Sequence, residues 1–489
     1  MVSSSQPVRS DTDLREYCGA FGIYSFTGKD VAHDIYMALM NLQHRGQDSA
    51  GASTSNGKKI CTVRGLGFVP EVLTAGAIES LSGHLGIGHT RYPTIGAGGA
   101  EDAQPFTAEV NGKKFALAHN GNISNYGRAR KAMESGGVKF CSTCDAELIL
   151  AAYVDQYNKT PDFFQAAEGL MKTLDGSYSV VFITDSGELV AFRDPHSIRP
   201  LCWGRDEEKI VFASESVALD IIKCPLSGDV APGEVVVVSK EGVKRKVVLG
   251  STPRHCMFEY VYFSRPDSKI DGKWVYEVRH SLGRALAKAA PVKADVVVAV
   301  PDTARSAVEG YSQESGIPVA EGLIKNRYIG RTFIMPSQKK REDAVRLKLN
   351  AVKHVVEGKR VVLIDDSIVR GTTMGPIVKL VRDAGAKEIH LRITCPPIMA
   401  PCFYGVDIPT YKELIATRKS VEEIRKAVGA DSLVYQTMDG LVQAIGMKKE
   451  ELCTGCLDEA YPTEIGIDIA KKMKAAGNKE GIRAWEEKE

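Results

Sequence analysis

Apolar residues follow two rhythms along this chain. Up to about residue 250 they come in short runs broken by turn residues: Cys18–Ile23, Leu85–Gly88, Phe115–Leu117, Tyr178–Ile183, Glu188–Arg193, Lys209–Ala213 and Glu234–Val238. Such spacing predicts an α+β domain of layered antiparallel sheets and helices. Cys144-Asp145-Ala146-Glu147 opens a helix that continues through Leu148, Ile149 and Leu150. Beyond residue 250 the runs become unbroken and β-branched. Asp295–Val300 (DVVVAV) and Val361–Ile364 read as parallel strands buried on both faces. After Met374 a helical period runs through Ile377, Leu380, Val381 and Ala384. Strand, helix and strand in that order predict a doubly wound α/β sheet, with its ligand at the carboxyl ends of the strands. Ser420–Val428 reads as an amphipathic helix behind a Ser N-cap.

Four segments follow: a leader over 1–17 without apolar period, a first domain over 18–250, a second over 251–450, and a charged tail over 451–489. A chain of 489 residues is long enough for each domain to bury its own core. The net charge of +2 gives no field suited to nucleic acid, so any phosphate binding is local. No apolar run is long enough to span a bilayer, and the leader lacks the apolar centre of a signal peptide. A cytoplasmic location is the expectation. The 11 cysteines, spread over so long a chain, point to catalytic, metal-bound or core thiols rather than a disulfide framework.

The chemistry concentrates first at Val361–Met374, VVLIDDSIVRGTTM. A buried strand ends in two carboxylates, Asp365 and Asp366. A glycine turn with paired threonines follows, and then a helix start. Backbone N–H groups, Thr hydroxyls and the positive end of the helix dipole converge there, which suits a phosphate. The carboxylates suit ribose hydroxyls or phosphate-bound Mg²⁺.

This run resembles the 5-phosphoribosyl-1-pyrophosphate (PRPP) motif of type I phosphoribosyltransferases. The first domain resembles the glutaminase domain of N-terminal-nucleophile (class II) amidotransferases, through Cys18-Gly19-Ala20-Phe21-Gly22, His89-Thr90-Arg91-Tyr92, Ala118-His119-Asn120-Gly121-Asn122 and Cys144-Asp145. Taken together, from Cys18 to about Thr463, the chain resembles the amidophosphoribosyltransferase family. The resemblance implies that the leader is removed and that Cys18, freed as a new chain start, attacks the glutamine carboxamide. Its own α-amino group, with an ordinary pKa of about 7.7–8.0, serves as base. It further implies an oxyanion hole from Asn120 and the Gly121 N–H, with Arg91 on the substrate carboxylate and Asp145 on its ammonium. On the PRPP side it implies ribose and Mg²⁺ contacts at Asp365 and Asp366, and a 5′-phosphate loop of Ser367, Ile368, Val369, Arg370, Gly371, Thr372 and Thr373. Thr303, in Pro301-Asp302-Thr303-Ala304-Arg305-Ser306, is implied as a further Mg²⁺ contact, with one Mg²⁺ per subunit. The basic segment from Lys325 past Gln338 and Arg341 to Leu349 resembles the family's loop that closes over PRPP.

Cys453-Thr454-Gly455-Cys456 is a CxxC pair, a spacing shared by zinc, redox and iron–sulfur sites. Some members of the family carry a 4Fe-4S cluster on four cysteines in the contexts of Cys256, Cys402, Cys453 and Cys456. The resemblance therefore implies one such cluster per subunit, with structural zinc as the alternative. Cys395 is left outside that set, and the Cys141/Cys144 CxxC is read as incidental.

The implied reaction consumes glutamine, PRPP and water and yields 5-phosphoribosylamine, pyrophosphate and glutamate, the entry step of purine synthesis. Nucleotide feedback inhibitors and a homo-oligomer, dimer or tetramer, are implied with it. Another class II glutamine amidotransferase and a PRPP-binding regulator are the competing readings. The first should lack the 361–374 motif; the second has no need of Cys18, Arg91, Asn120 and Asp145 together.

Overall fold

The computed structural model describes residues 18–92, 99–326, 347–408 and 410–475. The leader, the middle of the basic segment (327–346, with Gln338 and Arg341) and the chain beyond 475 lie outside these residues.

The first half is built on strands β1 (Gly19–Ser25), β2 (Ser49–Ser55), β3 (Ile60–Leu66), β4 (Leu85–Arg91), β5 (Phe106–Val110), β6 (Lys113–Ile123), β7 (Gly176–Thr184), β8 (Leu189–Arg193), β9 (Cys202–Arg205), β10 (Lys209–Ala213), β11 (Leu226–Asp229), β12 (Glu234–Ser239) and β13 (Gly242–Val247). They pair into two sheets, ordered β11-β9-β10-β1-β4-β2-β3 and β13-β12-β8-β7-β6-β5. The ladders are antiparallel throughout. Ala20, Tyr24, Leu85 and Ile87 of the first sheet pack against Ala116, Ala118, Val181 and Ile183 of the second. The outer faces are covered by helices. Phe21 and Ile23 meet Ile35 and Leu39 of helix Ala32–Asn41, while Leu117, Val180 and Phe182 meet helices Asp145–Lys159 and Phe163–Thr173. Both faces of each central strand are therefore buried, which is why β1 and β7 lack a polar side.

The second half carries parallel strands β14 (Val296–Ala299), β15 (Arg360–Asp365), β16 (Glu388–Ile393) and β17 (Ser432–Tyr435), neighbours in that order. One face packs Val297, Val362 and Ile364 on Leu286, Ala307 and Tyr311; the other packs Val361 and Leu363 with Ile377, Val378 and Val381. Helix Val421–Val428 begins at Ser420, whose hydroxyl accepts the Glu423 N–H at 3.3 Å while Glu423 accepts the Ser420 N–H at 2.8 Å. Among the described residues no helix is long and apolar enough to cross a membrane.

Two strands extend past the apolar runs Leu85–Gly88 and Phe115–Leu117 that predict them. The His89-Thr90-Arg91 and His119-Asn120-Gly121-Asn122 motifs do not follow their strands but lie inside β4 and β6. Polar side chains within a strand hide its apolar period. Here they are enclosed, and their partners come from other elements: the His119 ring meets Asp145, Asn120 meets Ser214 and Asn122 meets the Phe403 carbonyl, while the Nδ1 atoms of His89 and His119 are buried without a hydrogen-bond partner.

Candidate active sites

Cys18 lies immediately before β1 and is buried, 6% exposed. Its thiol lies 3.7 Å from the Tyr92 carbonyl, and its own carbonyl accepts the Arg45 Nε–H at 3.0 Å. The β1–β4 register, Gly19 opposite Thr90, sets Arg91 beside it. Ser214, at the end of β10, ties the two sheets together here. Its hydroxyl accepts the Ala20 N–H at 3.0 Å and an Asn120 amide N–H at 3.3 Å. Asn120 and Gly121 lie opposite Ser179 and Tyr178 of β7. Gly121 has φ +154°, and a Cβ on it would overlap the Ser177 carbonyl, so only glycine brings the backbone this close.

Arg91 is almost wholly buried, and burial alone would weaken its charge. Cys144, Asp102, Cys18 and Asp145 around it outweigh that and raise its pKa. Asp102 approaches Arg91 Nη2 at 3.8 Å. Burial likewise pushes Asp145 toward neutrality, but the His119 ring at 3.0 Å and Arg91 hold its carboxyl below the usual range. The Ile123 N–H adds a bond at 3.2 Å. His89 donates its Nε2–H to the His119 carbonyl at 2.9 Å, and burial drives its pKa well below 6.5. A thiol, a buried guanidinium and a buried ionised carboxylate thus lie close together. Such a set can hold the carboxylate and ammonium ends of an amino acid beside a nucleophile.

The second constellation stands at the carboxyl ends of β14 and β15. Asp366 is 7% exposed and burial raises its pKa. Both of its oxygens are engaged: Ser367 Oγ–H donates at 2.6 Å and Thr303 Oγ–H at 2.5 Å. The Asp366 N–H donates to Asp365 Oδ1 at 2.9 Å. Thr303 reaches this pair because β14 runs parallel to β15, with Ala299 opposite Ile364. Gly371 turns the chain at φ +75° ahead of helix Met374–Asp383, with Thr373 as its N-cap. Ile368 and Met374 are buried in the core, and the Val369 carbonyl accepts the Ile415 N–H at 2.9 Å. The side chain of Arg370 turns to Glu413, 2.7 Å, so this residue offers the loop its backbone rather than its charge. An oxygen-only set of Asp365, Asp366 and Thr303 fits Mg²⁺, and a cation would relieve the buried carboxylate.

The four cysteines Cys256, Cys402, Cys453 and Cys456 are all buried, and they converge. His255–Cys256 pairs in parallel with Leu452–Cys453, and the Cys456 carbonyl accepts the N–H groups of Met399 and Ala400, just before Cys402. Burial raises the pKa of Cys256 to about 12 although Arg199 beside it lowers it, with Glu259 and Cys402 adding to the rise; burial and then the neighbouring thiols raise those of Cys453 and Cys456 well above the usual thiol range. No three of them, nor any other three His, Cys, Asp or Glu among the described residues, form a compact single-ion site. The donor set, soft thiols shielded from water, fits a thiolate-bound metal group.

Known proteins match the chain in the same two parts. A glutamine amidotransferase domain family matches residues 89–220 and a phosphoribosyl transferase domain family residues 273–401. The amidophosphoribosyltransferase of Methanothermobacter thermautotrophicus is 50% identical over 94% of this chain and 98% of its own length. The chain belongs to the amidophosphoribosyltransferase family. Chloroplastic amidophosphoribosyltransferase 1 of Arabidopsis thaliana is 45% identical over 93% of the chain and 80% of its own length. Among solved structures, the B. subtilis glutamine PRPP amidotransferase complexed with ADP and GMP is 42% identical, with a TM-score of 0.84 over 92% of this chain and 98% of that one. Its layered antiparallel domain followed by a parallel-sheet domain is the family's arrangement, and here both sites belong to one chain.

Sequence reasoning missed several residues of the first site. Asp102, Ser214 and Arg45 stand in no motif whose chemistry is readable alone. The role of Ser214 and Glu215 is contact: Ser214 binds Asn120, and Glu215 binds Arg45 at 2.6 Å.

Proposed function

We propose that this chain makes 5-phosphoribosylamine, pyrophosphate and glutamate from glutamine, PRPP and water, the entry step of purine synthesis. One observation carries the reading: a buried thiol beside a buried guanidinium and carboxylate, and a strand-end acid pair followed by a glycine turn, occur in a single chain of this family. Cys18 attacks the carboxamide once the leader is removed, and its α-amino group takes the proton and later returns it to the leaving ammonia. The Asn120 side chain and the Gly121 N–H hold the developing oxyanion, Arg91 the substrate carboxylate and Asp145 the substrate ammonium. The thioester is then hydrolysed, and ammonia passes within the protein to the second site. There the residues from Ser367 to Thr373 hold the 5′-phosphate and Asp365 and Asp366 the ribose hydroxyls, orienting the anomeric carbon as pyrophosphate leaves. Asp365, Asp366 and Thr303 would hold Mg²⁺, which would supply positive charge for that leaving group. Cys256, Cys402, Cys453 and Cys456 would hold a 4Fe-4S cluster, which would staple the tail to the second domain; no step runs through it. Nucleotides regulate the enzyme, as the ADP and GMP bound to the B. subtilis relative suggest, and it works as a homo-oligomer in the cytoplasm.

Glutamine hydrolysis measured with and without PRPP tests the reading: PRPP-stimulated hydrolysis is the expected result. Hydrolysis indifferent to PRPP favours another class II amidotransferase, and none from processed protein favours a regulator. Metal analysis is expected to give about four irons per chain, with zinc in their place overturning the cluster. Gly121→Ala is expected to lower the glutamine-dependent rate on the order of 100-fold. The rate with ammonium as nitrogen source stays within about two-fold, because the displaced backbone belongs to β6 and not to the parallel sheet.

A further inference from the structure

The two halves of the glutamine site are held in register through the neighbouring domain. Phe403–Gly405, directly after Cys402, docks on β6 and β7. The Phe403 carbonyl accepts Asn122 Nδ2–H at 2.8 Å and Ser124 Oγ–H at 3.1 Å, and the Tyr404 carbonyl accepts Ser177 Oγ–H at 2.8 Å. Gly405 lies against the Gly121 backbone, where a Cβ would come within 3.3 Å of the Gly121 carbonyl. One side chain clamps this loop. Arg199, fully buried, donates to the Tyr404 carbonyl at 3.1 Å, to the Gly405 carbonyl, and to Glu259 Oε1 at 2.9 Å. Glu259 follows Cys256 closely in sequence. It also binds Arg45 through both oxygens, at 2.8 and 3.0 Å, and Arg45 holds the Cys18 carbonyl. An unbroken buried chain therefore runs from the nucleophile's own carbonyl through Arg45, Glu259 and Arg199 to the loop lying on Gly121.

We propose that Arg199 is a positioning residue for the glutamine site, which fixes Gly121 relative to Cys18 by clamping the loop after Cys402 against β6. The inference rests on the glutaminase reading of Cys18 and Gly121 given above. Its chemistry is geometric. Three bonds from one rigid planar fork tie two successive loop carbonyls to the Glu259 carboxylate at once, a task for which the single ammonium of lysine is a partial substitute and a neutral amide a poor one. Such a misplacement remote from the chemistry, of about 1 Å, costs roughly 10²-fold in rate. The same clamp places the glutamine site under the influence of the cysteine-bearing loops, since Arg199 sits between the segments that carry Cys256 and Cys402.

The test uses the full processed chain with Arg199→Gln and Arg199→Lys. Glutamine-dependent kcat, KM for glutamine and the ammonium-dependent rate are compared, together with the alkylation rate of Cys18 by a chloroketone analogue of glutamine and by iodoacetamide. R199Q is expected to lower glutamine-dependent kcat about 100-fold, with KM and the ammonium-dependent rate within about three-fold. R199K is expected to recover about ten-fold of that loss. Labelling by the chloroketone slows in parallel, while iodoacetamide reacts as before. Parallel loss of glutamine- and ammonium-dependent rates in both variants overturns the proposal, because that is the pattern of a general folding defect. Unchanged kcat in R199Q overturns it as well. Should R199Q fail to accumulate, R199K decides by the same split. An unaltered chain without glutaminase activity instead sinks the reading beneath it, so the two failures are separable.

Discussion

Cys18→Ala abolishes glutamine-dependent formation of phosphoribosylamine, on the order of 10⁴-fold or more, and leaves the ammonium-dependent rate near that of the unaltered chain. The size of the effect follows from the position of the thiol. Cys18 is buried before β1, with Arg91 set beside it by the ladder and the Asn120–Gly121 strand tied to its neighbour Ala20 through Ser214. Among the described residues no other thiol stands in this relation: Cys144 lies beside Asp145, and burial pushes its pKa far above the usual thiol range, which makes it a poor nucleophile. Removing the sulfur removes the covalent route, whereas the parallel sheet, with its own core, keeps its shape. Steady-state assays with glutamine and with ammonium chloride check both halves. Glutamine turnover by C18A within about ten-fold of the unaltered rate would falsify the assignment. A chain that retains Met1 and turns over glutamine at full speed would separately remove the α-amino group from the mechanism.

The fold was legible where apolar periodicity is simple and obscured where chemistry interrupts it. Val361–Ile364 announced a buried parallel strand because nothing polar breaks it before Asp365, and the strand is Arg360–Asp365. Phe115–Leu117 announced only the opening of β6. The strand runs on to Ile123, through His119, Asn120 and Asn122, because Asp145, Ser214 and the Phe403 carbonyl take side chains that a lone strand could not bury. Those partners are far away in sequence, so no local signal reports them. The same limit applies to the ion pairs. Arg45, Glu215, Glu259 and Arg199 are each unremarkable in sequence, and a charged residue is usually a solvated one. All four are buried, and each is tolerable there only because the others are present; with Arg45 and Arg199 opposing burial, the Glu259 carboxyl stays below its usual range. Arg370 shows the converse. Its place in the phosphate loop gave no sign of a protein partner, yet Glu413, distant in sequence, takes the guanidinium.

Joint replacement of Asp365 and Asp366 by asparagine is expected to cut PRPP-dependent turnover on the order of 10³-fold, with glutamine and with ammonium alike. Glutamine hydrolysis without PRPP is expected to stay within about three-fold, since Cys18 and its partners lie on other strands. The argument turns on what the carboxylates do when no ligand is present. Asp366 is enclosed, its charge disfavoured by burial and sustained by the Ser367 and Thr303 hydroxyls. A structural acid in that position would be replaced at little cost, or at a gain, by a neutral amide of the same shape. The unfolding temperature of the double variant is therefore expected to match or exceed that of the unaltered chain. Stability kept while turnover collapses is the signature of a charge retained for a ligand rather than for the fold. The bond that charge makes is then read directly: titration with Mg²⁺ in the presence of PRPP saturates the unaltered chain and fails to rescue the variant. Turnover within about ten-fold of the unaltered rate removes both acids from the reaction, and a large fall in unfolding temperature assigns them to the architecture of the loop instead.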